Sequence, residues 1–180
     1  THNIALTYIL GMCPMIAISK NLKTAKGMGI SVVAVITITG ALNWPIYRFL
    51  KNNGAETISL LVFIITIAAT VQLLEMLLDK FIPTLYNAFG IFLPLITVNC
   101  AVLAVSLFSV NRAFGFFETV IFSFGSGLGW AIAITLIASI REKMALNSKV
   151  PSGLDGAGIV MVIAGLISLA FMGFGGMVNF

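Results

Sequence analysis

Two cysteines are the residues of this chain best suited to chemistry, and their spacing is informative. Cys13 and Cys100 are the only cysteines in the sequence, and each lies within a long apolar stretch. Laying the chain over itself with a shift of 87 residues aligns the two cysteines with each other. The same shift also aligns Ala17 with Ala104, Ser19 with Ser106, Val33 with Val120 and Gly40 with Gly127. This pattern favours an internal repeat that gives the two thiols equivalent positions.

Metal ligation is the chemistry that such a pair of thiols favours. A single cysteine in an apolar run is most simply a small buried hydrophobic residue. A metal deprotonates the thiols that bind it, so ligation makes two thiolates tolerable in an apolar setting. Two thiolates are half of the set required by an iron–sulfur cluster or by a zinc site with four cysteine ligands. We therefore expect a second protein to supply two more cysteines, and the residues leave iron and zinc as open alternatives.

The composition is that of an integral membrane protein. Of the 180 residues, 59% are hydrophobic and 9% are charged, whereas a soluble domain has about 25% charged residues. The mean hydropathy is +1.10, so membrane lipid is the expected environment. The net charge of +4 does not indicate nucleic-acid binding, because the basic residues occupy short breaks between apolar runs rather than one patch.

Charged residues divide the chain into apolar segments of about 20 residues, the length that a membrane-spanning helix needs. The predicted spans are 2–19, 28–47, 57–78, 88–109, 117–140 and 157–178. The loops after spans 1, 3 and 5 contain seven Lys and Arg residues, against three in the loops after spans 2 and 4. The excess of positive charge predicts that the first set is cytoplasmic and that both termini are periplasmic. Because the sequence opens at Thr1 without a methionine, we expect a few residues to precede it.

Three spans separate the equivalent cysteines, so the second repeat must enter the membrane from the opposite face. The predicted fold is one all-α membrane domain, 1–180, built from two inverted-topology repeats of three helices, about 1–80 and 81–180. Spans 1 and 4 are expected to be broken, because Pro14 follows Cys13 and Pro94 precedes Cys100. Irregular backbone at membrane depth is stable only when it is buried in protein or lines a cavity.

A glycine run and two aromatic residues complete the pattern. Gly125 and Gly129 lie one turn apart in span 5 and are predicted to let a neighbouring helix approach closely, as are Gly173, Gly175 and Gly176 in span 6. No predicted strand precedes the run, so a dinucleotide-binding loop is excluded. Trp44 and Tyr47 lie near the outer end of span 2, where interfacial aromatic residues are expected.

Three parts of the sequence carry a family resemblance, namely Leu10–Cys13, Leu85–Ala101, and Phe124–Trp130 together with Arg141–Lys143. They resemble the family of the E subunit of the sodium-translocating NADH:quinone oxidoreductase and of its relative, the A subunit of the Rnf electron-transport complex. The resemblance covers essentially the whole chain. Pro14 is more typical of the Rnf protein, whereas Val98 and the residues Arg141–Met144 are more typical of the quinone reductase, which we favour.

The resemblance implies a role in electron transfer. It implies that Cys13 and Cys100 bind one [2Fe–2S] cluster together with two cysteines of the homologous D subunit, which lies in the opposite orientation. It further implies a complex of six subunits, A to F, in the bacterial inner membrane. In such a complex NADH is oxidised at FAD on the F subunit, and electrons pass through the shared cluster to FMN groups on the C and B subunits, then to riboflavin and ubiquinone. Sodium export is coupled to this flow, and this chain alone has no complete active site.

Other classes of function stay open at the level of sequence. A subunit of the Rnf ferredoxin:NAD complex is the nearest alternative. A small secondary transporter would also have inverted repeats and broken helices. A structural membrane subunit with a zinc site would use the same two cysteines.

Overall fold

The computed structural model of the chain describes residues 4–54, 56–81, 93–147 and 156–177, and all regular structure within them is helical. The helices are α1 (Ile4–Thr7), α2 (Met12–Ile18), α3 (Leu22–Asn52), α4 (Ser59–Phe81), α5 (Leu93–Thr97), α6 (Cys100–Asn111), α7 (Phe116–Asn147) and α8 (Ala157–Met177). A short 3-10 turn, Glu56–Ile58, precedes α4. The prediction of an all-α protein is confirmed.

Each predicted span corresponds to helical structure. Among the described residues, four stretches are long and apolar enough to cross a membrane, namely Leu22–Asn52, Ser59–Leu77, Pro94–Asn111 and Phe116–Leu146. Within the described residues the apolar helix Ala157–Gly173 is shorter, and span 1 is divided between α1 and α2. Residues 88–92, where span 4 was predicted to begin, and the loop around Lys149 lie outside the described residues.

Helices α3 and α7 continue past the charged residues that marked their predicted ends. Span 2 was predicted as 28–47, but α3 begins before Lys23 and includes Lys51. Helix α7 likewise includes Arg141–Lys143. The predicted boundaries are wrong because Lys, Arg and Glu have high helix propensity. The charges therefore indicate where apolar surface stops, while the helix itself continues.

Helices α3 and α7 form the centre of the fold and run antiparallel. The facing pairs are Gly29 with Ala131, Val33 with Gly127, and Gly40 with Ser123. The glycines allow the two backbones to approach, since a Cβ added at Gly127 would lie 3.1 Å from the Val33 Cα. Around this pair, α4 packs against α5 and α6, and α8 packs against α1 and α2.

The prediction that Gly125 and Gly173 pack closely against a neighbouring helix is wrong within this chain. A Cβ added at either glycine would meet no atom of the described residues within 4 Å. The packing glycine of the run is Gly127, which is buried against α3. Because successive helical residues are rotated by about 100°, Gly127 lies on nearly the opposite side of α7 from Gly125.

Candidate cofactor site

Span 1 is interrupted immediately before Cys13. Residues 8–11 separate α1 from α2, and Ile9 and Gly11 have positive φ angles of 54° and 80°. Gly11 adopts this conformation without the steric cost that a side chain would add. Cys13 is the second residue of α2, so its thiol lies in the first turn of a new helix.

Pro14 is not the cause of this interruption, contrary to the prediction. It is the third residue of α2, where a backbone N–H would have no partner within the helix. The interruption lies before it, at the left-handed Gly11. Span 1 is thus broken as predicted, but the proline belongs to the start of the second helix.

Span 4 is interrupted immediately before Cys100. Helix α5 ends at Thr97, and Asn99 is the N-cap of α6, its Oδ1 accepting a hydrogen bond from the Ala101 amide at 3.0 Å. Asparagine is a favoured N-cap because it satisfies an amide that the first turn leaves unpaired. Cys100 is the first residue of α6. Pro94, which was expected to cause the break, lies within α5 ahead of it.

The two interruptions lie against each other. A Cβ added at Gly11 would be 2.8 Å from the Asn99 Oδ1 and 3.2 Å from the Ala101 Cβ. Gly11 is two residues before Cys13, and Asn99 is the residue before Cys100. The fold therefore brings together the two helix starts that carry the cysteines.

Trp130 of α7 covers the inner side of these interruptions. Its side chain is fully buried, and its Nε1 would lie 2.5 Å from a Cβ at Gly11. Neither the Trp130 Nε1 nor the Asn99 Nδ2 has a hydrogen-bond partner among the described residues. Sequence reasoning did not select Trp130 or Asn99, because nothing in an apolar helix pattern indicates which residue of α7 meets the breaks.

Both thiols face away from the core of this chain. Cys13 and Cys100 are free and exposed, whereas their neighbours Pro14, Asn99 and Ala101 are buried. In the part of the chain that the structure describes, no group of three or more His, Cys, Asp or Glu side chains could hold a metal. The chain thus offers two sulfur ligands at its surface, and a complete set of four would need another chain.

Arg141 holds the opposite end of α2. Its Nη1 donates to the Ser19 Oγ at 2.8 Å and to the Ile16 carbonyl at 3.4 Å, and its Nη2 donates to the Gly156 carbonyl at 3.4 Å. Ser19 is the C-cap of α2, so the guanidinium binds where a helix end leaves carbonyls unpaired. In the sequence Arg141 indicated only the cytoplasmic side, because its partners lie far away along the chain.

Fold and site together define the class of the protein, a multi-pass helical membrane protein in which two interrupted helices each present one cysteine. The chain belongs to the Rnf-Nqr family, since the family model described as "Rnf-Nqr subunit, membrane protein" matches residues 1–178. It is 52% identical to the E subunit of the Na(+)-translocating NADH-quinone reductase of Methylococcus capsulatus and 50% identical to that of Maridesulfovibrio salexigens. Each alignment covers 97% of this chain and 92% of the relative. The family resemblance inferred from the sequence is confirmed.

Proposed function

We propose that this chain is the E subunit of a Na+-translocating NADH:quinone reductase and that it carries electrons across the bacterial inner membrane. The support is its similarity, at 50–52% identity over nearly the full length, to relatives with that name. A subunit of the Rnf complex and a secondary transporter are less well supported, because these relatives are named as quinone reductase subunits.

Cys13 and Cys100 are proposed to bind one [2Fe–2S] cluster together with two cysteines of the homologous D subunit. The observation that carries this proposal is the contact between Gly11 and Asn99, which brings the two cysteine-bearing helix starts together while both thiols stay exposed. A bound cluster would supply one-electron transfer, whereas zinc is redox-inactive and would not.

In this proposal the other residues of the site position the thiols. Gly11 permits the close approach of the two interruptions, Asn99 starts α6, and Arg141 holds the end of α2. Trp130 fills the space behind the interruptions and keeps water from it. A relay inside the hydrocarbon core would divide a distance of about 30 Å into shorter electron transfers.

Inverted-topology repeats are part of the proposal. Equivalent helices of such repeats run in opposite directions, and α3 and α7 are antiparallel. The packing of α4 on α5 and α6 has its counterpart in the packing of α8 on α1 and α2, including a hydrogen bond from Ser168 to the Leu6 carbonyl at 2.6 Å. The third helix of each repeat thus packs on the first span of the other repeat, which supports a two-fold axis in the membrane plane. The periplasmic position of both termini stays a prediction.

The remaining cofactors are proposed for other subunits. FAD on the F subunit would accept electrons from NADH, and FMN and riboflavin beyond the cluster would pass them to ubiquinone, with the A, B and C subunits completing the complex. Sodium export would be coupled to this flow.

The first prediction tests the cluster. Cys13→Ser and Cys100→Ser, each in the purified complex, are expected to lose iron, acid-labile sulfide and the cluster's electron paramagnetic resonance signal, because three thiolates leave one iron incompletely ligated. Quinone reduction should fall with them, while NADH oxidation by a soluble acceptor should survive.

Met12→Leu is the matched control, because Met12 is the neighbour of Cys13 and the change keeps its size and polarity. It should retain the iron and the signal. If either serine variant retains the iron and the electron paramagnetic resonance signal, the substituted cysteine is an ordinary apolar residue and not a ligand. Zinc in place of iron in the parent complex would support the structural alternative.

A further inference from the structure

A half-open cavity of about 240 Å³ lies between α3, α6 and the start of α7. Its described lining contains neither cysteine and none of the residues of the two helix interruptions. The side chains that determine its chemistry form a floor and a rim. The floor consists of Asn43, Ser106, Ser109 and Thr119, and the rim of Trp44, Tyr47, Arg48 and Lys51.

The floor offers oxygen lone pairs. Ser109 and Thr119 each donate their hydroxyl proton to the carbonyl four residues earlier, at 2.9 and 3.0 Å. Asn43 donates its Nδ2 hydrogen to the Ser106 Oγ at 2.8 Å. The Asn43 side chain is 3% exposed, and its Oδ1 has no hydrogen-bond partner among the described residues. Because a buried unpaired acceptor is costly, the floor favours an occupant that donates hydrogen bonds.

The rim is positively charged. Arg48 and Lys51 lie about one turn apart on α3, and within the described part of the chain neither pairs with a carboxylate. The Arg48 guanidinium lies 5.3 Å from the centroid of the Trp44 ring, a distance at which a cation is attracted to the ring face. Trp44 is itself fixed by a hydrogen bond from its Nε1 to the Phe114 carbonyl at 2.9 Å. The rim therefore favours an anionic group, above all phosphate.

Apolar surface lies directly beside the rim. The Phe116 ring packs edge-on against Trp44 with centroids 5.5 Å apart. Phe116 and its neighbour Phe117 are 40% and 80% exposed. Trp44 and Tyr47 lie near the end of a spanning helix, as aromatic residues at a membrane interface do. The surroundings thus suit a molecule that combines a charged head with hydrocarbon chains.

We propose that this cavity binds the head group of phosphatidylethanolamine. Its phosphate would lie at Arg48 and Lys51, and its ammonium would donate to the Asn43 Oδ1 and to the hydroxyl oxygens of Ser109 and Thr119. A bare cation suits the floor but is repelled by the rim, and a simple anion suits the rim but leaves the floor unpaired. A zwitterion with the ammonium beyond the phosphate satisfies both, and this assignment does not depend on the cluster.

The test is lipid retention by the purified complex that contains this chain. The complex is stripped of lipid in detergent, equilibrated with equal amounts of phosphatidylethanolamine, phosphatidylglycerol and phosphatidylcholine, and analysed by native mass spectrometry. Phosphatidylethanolamine should be retained about tenfold over phosphatidylcholine, whose trimethylated nitrogen cannot donate. Phosphatidylglycerol should fall between them, because neutral hydroxyls donate weaker hydrogen bonds than an ammonium.

Matched variants separate the rim from the floor. Arg48→Gln and Lys51→Gln should lower phosphatidylethanolamine retention, whereas Arg112→Gln should not, since Arg112 is exposed at the same end of the molecule but does not line the cavity. In the double variant Ser109→Ala/Thr119→Val, the ratio of retained phosphatidylethanolamine to retained phosphatidylcholine should fall close to one. These are small changes that retain the shape of the helices.

Several outcomes would overturn the proposal. Equal retention of phosphatidylethanolamine and phosphatidylcholine by the parent complex would show that the floor residues do not distinguish the two head groups. Displacement of the lipid by inorganic phosphate alone would make a free anion the ligand. Loss of a subunit from the Arg48→Gln complex with unchanged lipid retention would show that the rim pairs with a partner protein instead.

Discussion

Gly11 is the residue whose constraint is least visible in the sequence. Its φ of 80° lies in the left-handed region, and an added Cβ would meet Trp130, Asn99 and Ala101 on three sides. The cysteines could be selected from their number and spacing, because both are properties of the sequence. Gly11, Asn99 and Trp130 could not be selected as a group, because their contacts join residues that are distant along the chain.

Gly11→Ala is expected to destabilise the complex by about 1–3 kcal/mol beyond the cost of the φ angle, because the methyl group enters filled space. Gly54→Ala is the matched control. Gly54 also has a positive φ, 70°, but a Cβ added there would meet no atom of the described residues within 4 Å. Its cost should therefore be about 1–2 kcal/mol.

Thermal denaturation and iron content of the two variants measure the difference. Gly11→Ala should also lose the proposed cluster, since its methyl group pushes apart the two helix starts that carry the cysteines. Equal stability and equal iron in the two variants would show that the interruptions do not pack as described.

At the scale of elements, α2 depends on partners that are distant along the chain. It has seven residues, and a helix this short is not stable alone in water. Arg141, inside α7, joins the C-terminal end of α2 to Gly156, the residue before α8. The charge pattern predicted that α7 would end near Arg141, but the residue lies inside the helix and serves as a cap for another one.

Arg141→Gln is expected to lower the free energy of unfolding by about 1–3 kcal/mol, because buried acceptors at the end of α2 lose a charged donor. The iron of the proposed cluster should then be lost faster under mild heating, since α2 carries Cys13. Lys143→Gln removes a nearby exposed charge and should have no measurable effect. If the two variants release iron at the same rate, Arg141 does not position α2.

The glycine run of α7 gives a second test at this scale. Gly127→Leu should prevent assembly of the chain, because its side chain would meet the Val33 backbone, where nothing can move aside. Gly125→Leu should leave the pairing of α3 and α7 intact, as the space around Gly125 is open. Accumulation of the pulse-labelled chain in membranes and its resistance to protease measure the effect of each variant. A larger defect in Gly125→Leu than in Gly127→Leu would show that Gly127 is not the glycine at the contact between α3 and α7.

For the whole molecule, the sequence predicted that the chain is built from apolar helices, but it did not predict how those helices pack. Hydropathy and charge depend on each segment alone, so they locate spans well. Packing depends instead on how well the surfaces of distant segments fit together. Examples are the antiparallel pairing of α3 with α7 and the packing of α8 on α1 and α2. The prolines indicated correctly which spans are broken, but the breaks form at Gly11 and Asn99. The left-handed backbone of Gly11 interrupts span 1, and the N-cap Asn99 begins a new helix in span 4.

The orientation in the membrane is the last prediction. Seven Lys and Arg residues follow spans 1, 3 and 5, and three follow spans 2 and 4, so the side that holds the seven should be cytoplasmic. Alkaline phosphatase fused after Phe180 should be active, as it is only in the periplasm, and a fusion after Asn147 should be inactive. Green fluorescent protein at the same two sites is the reciprocal control. If the fusions after Phe180 and after Asn147 are both inactive, α8 does not cross the membrane. The two repeats could then not have the opposite orientations that an inverted-topology fold requires.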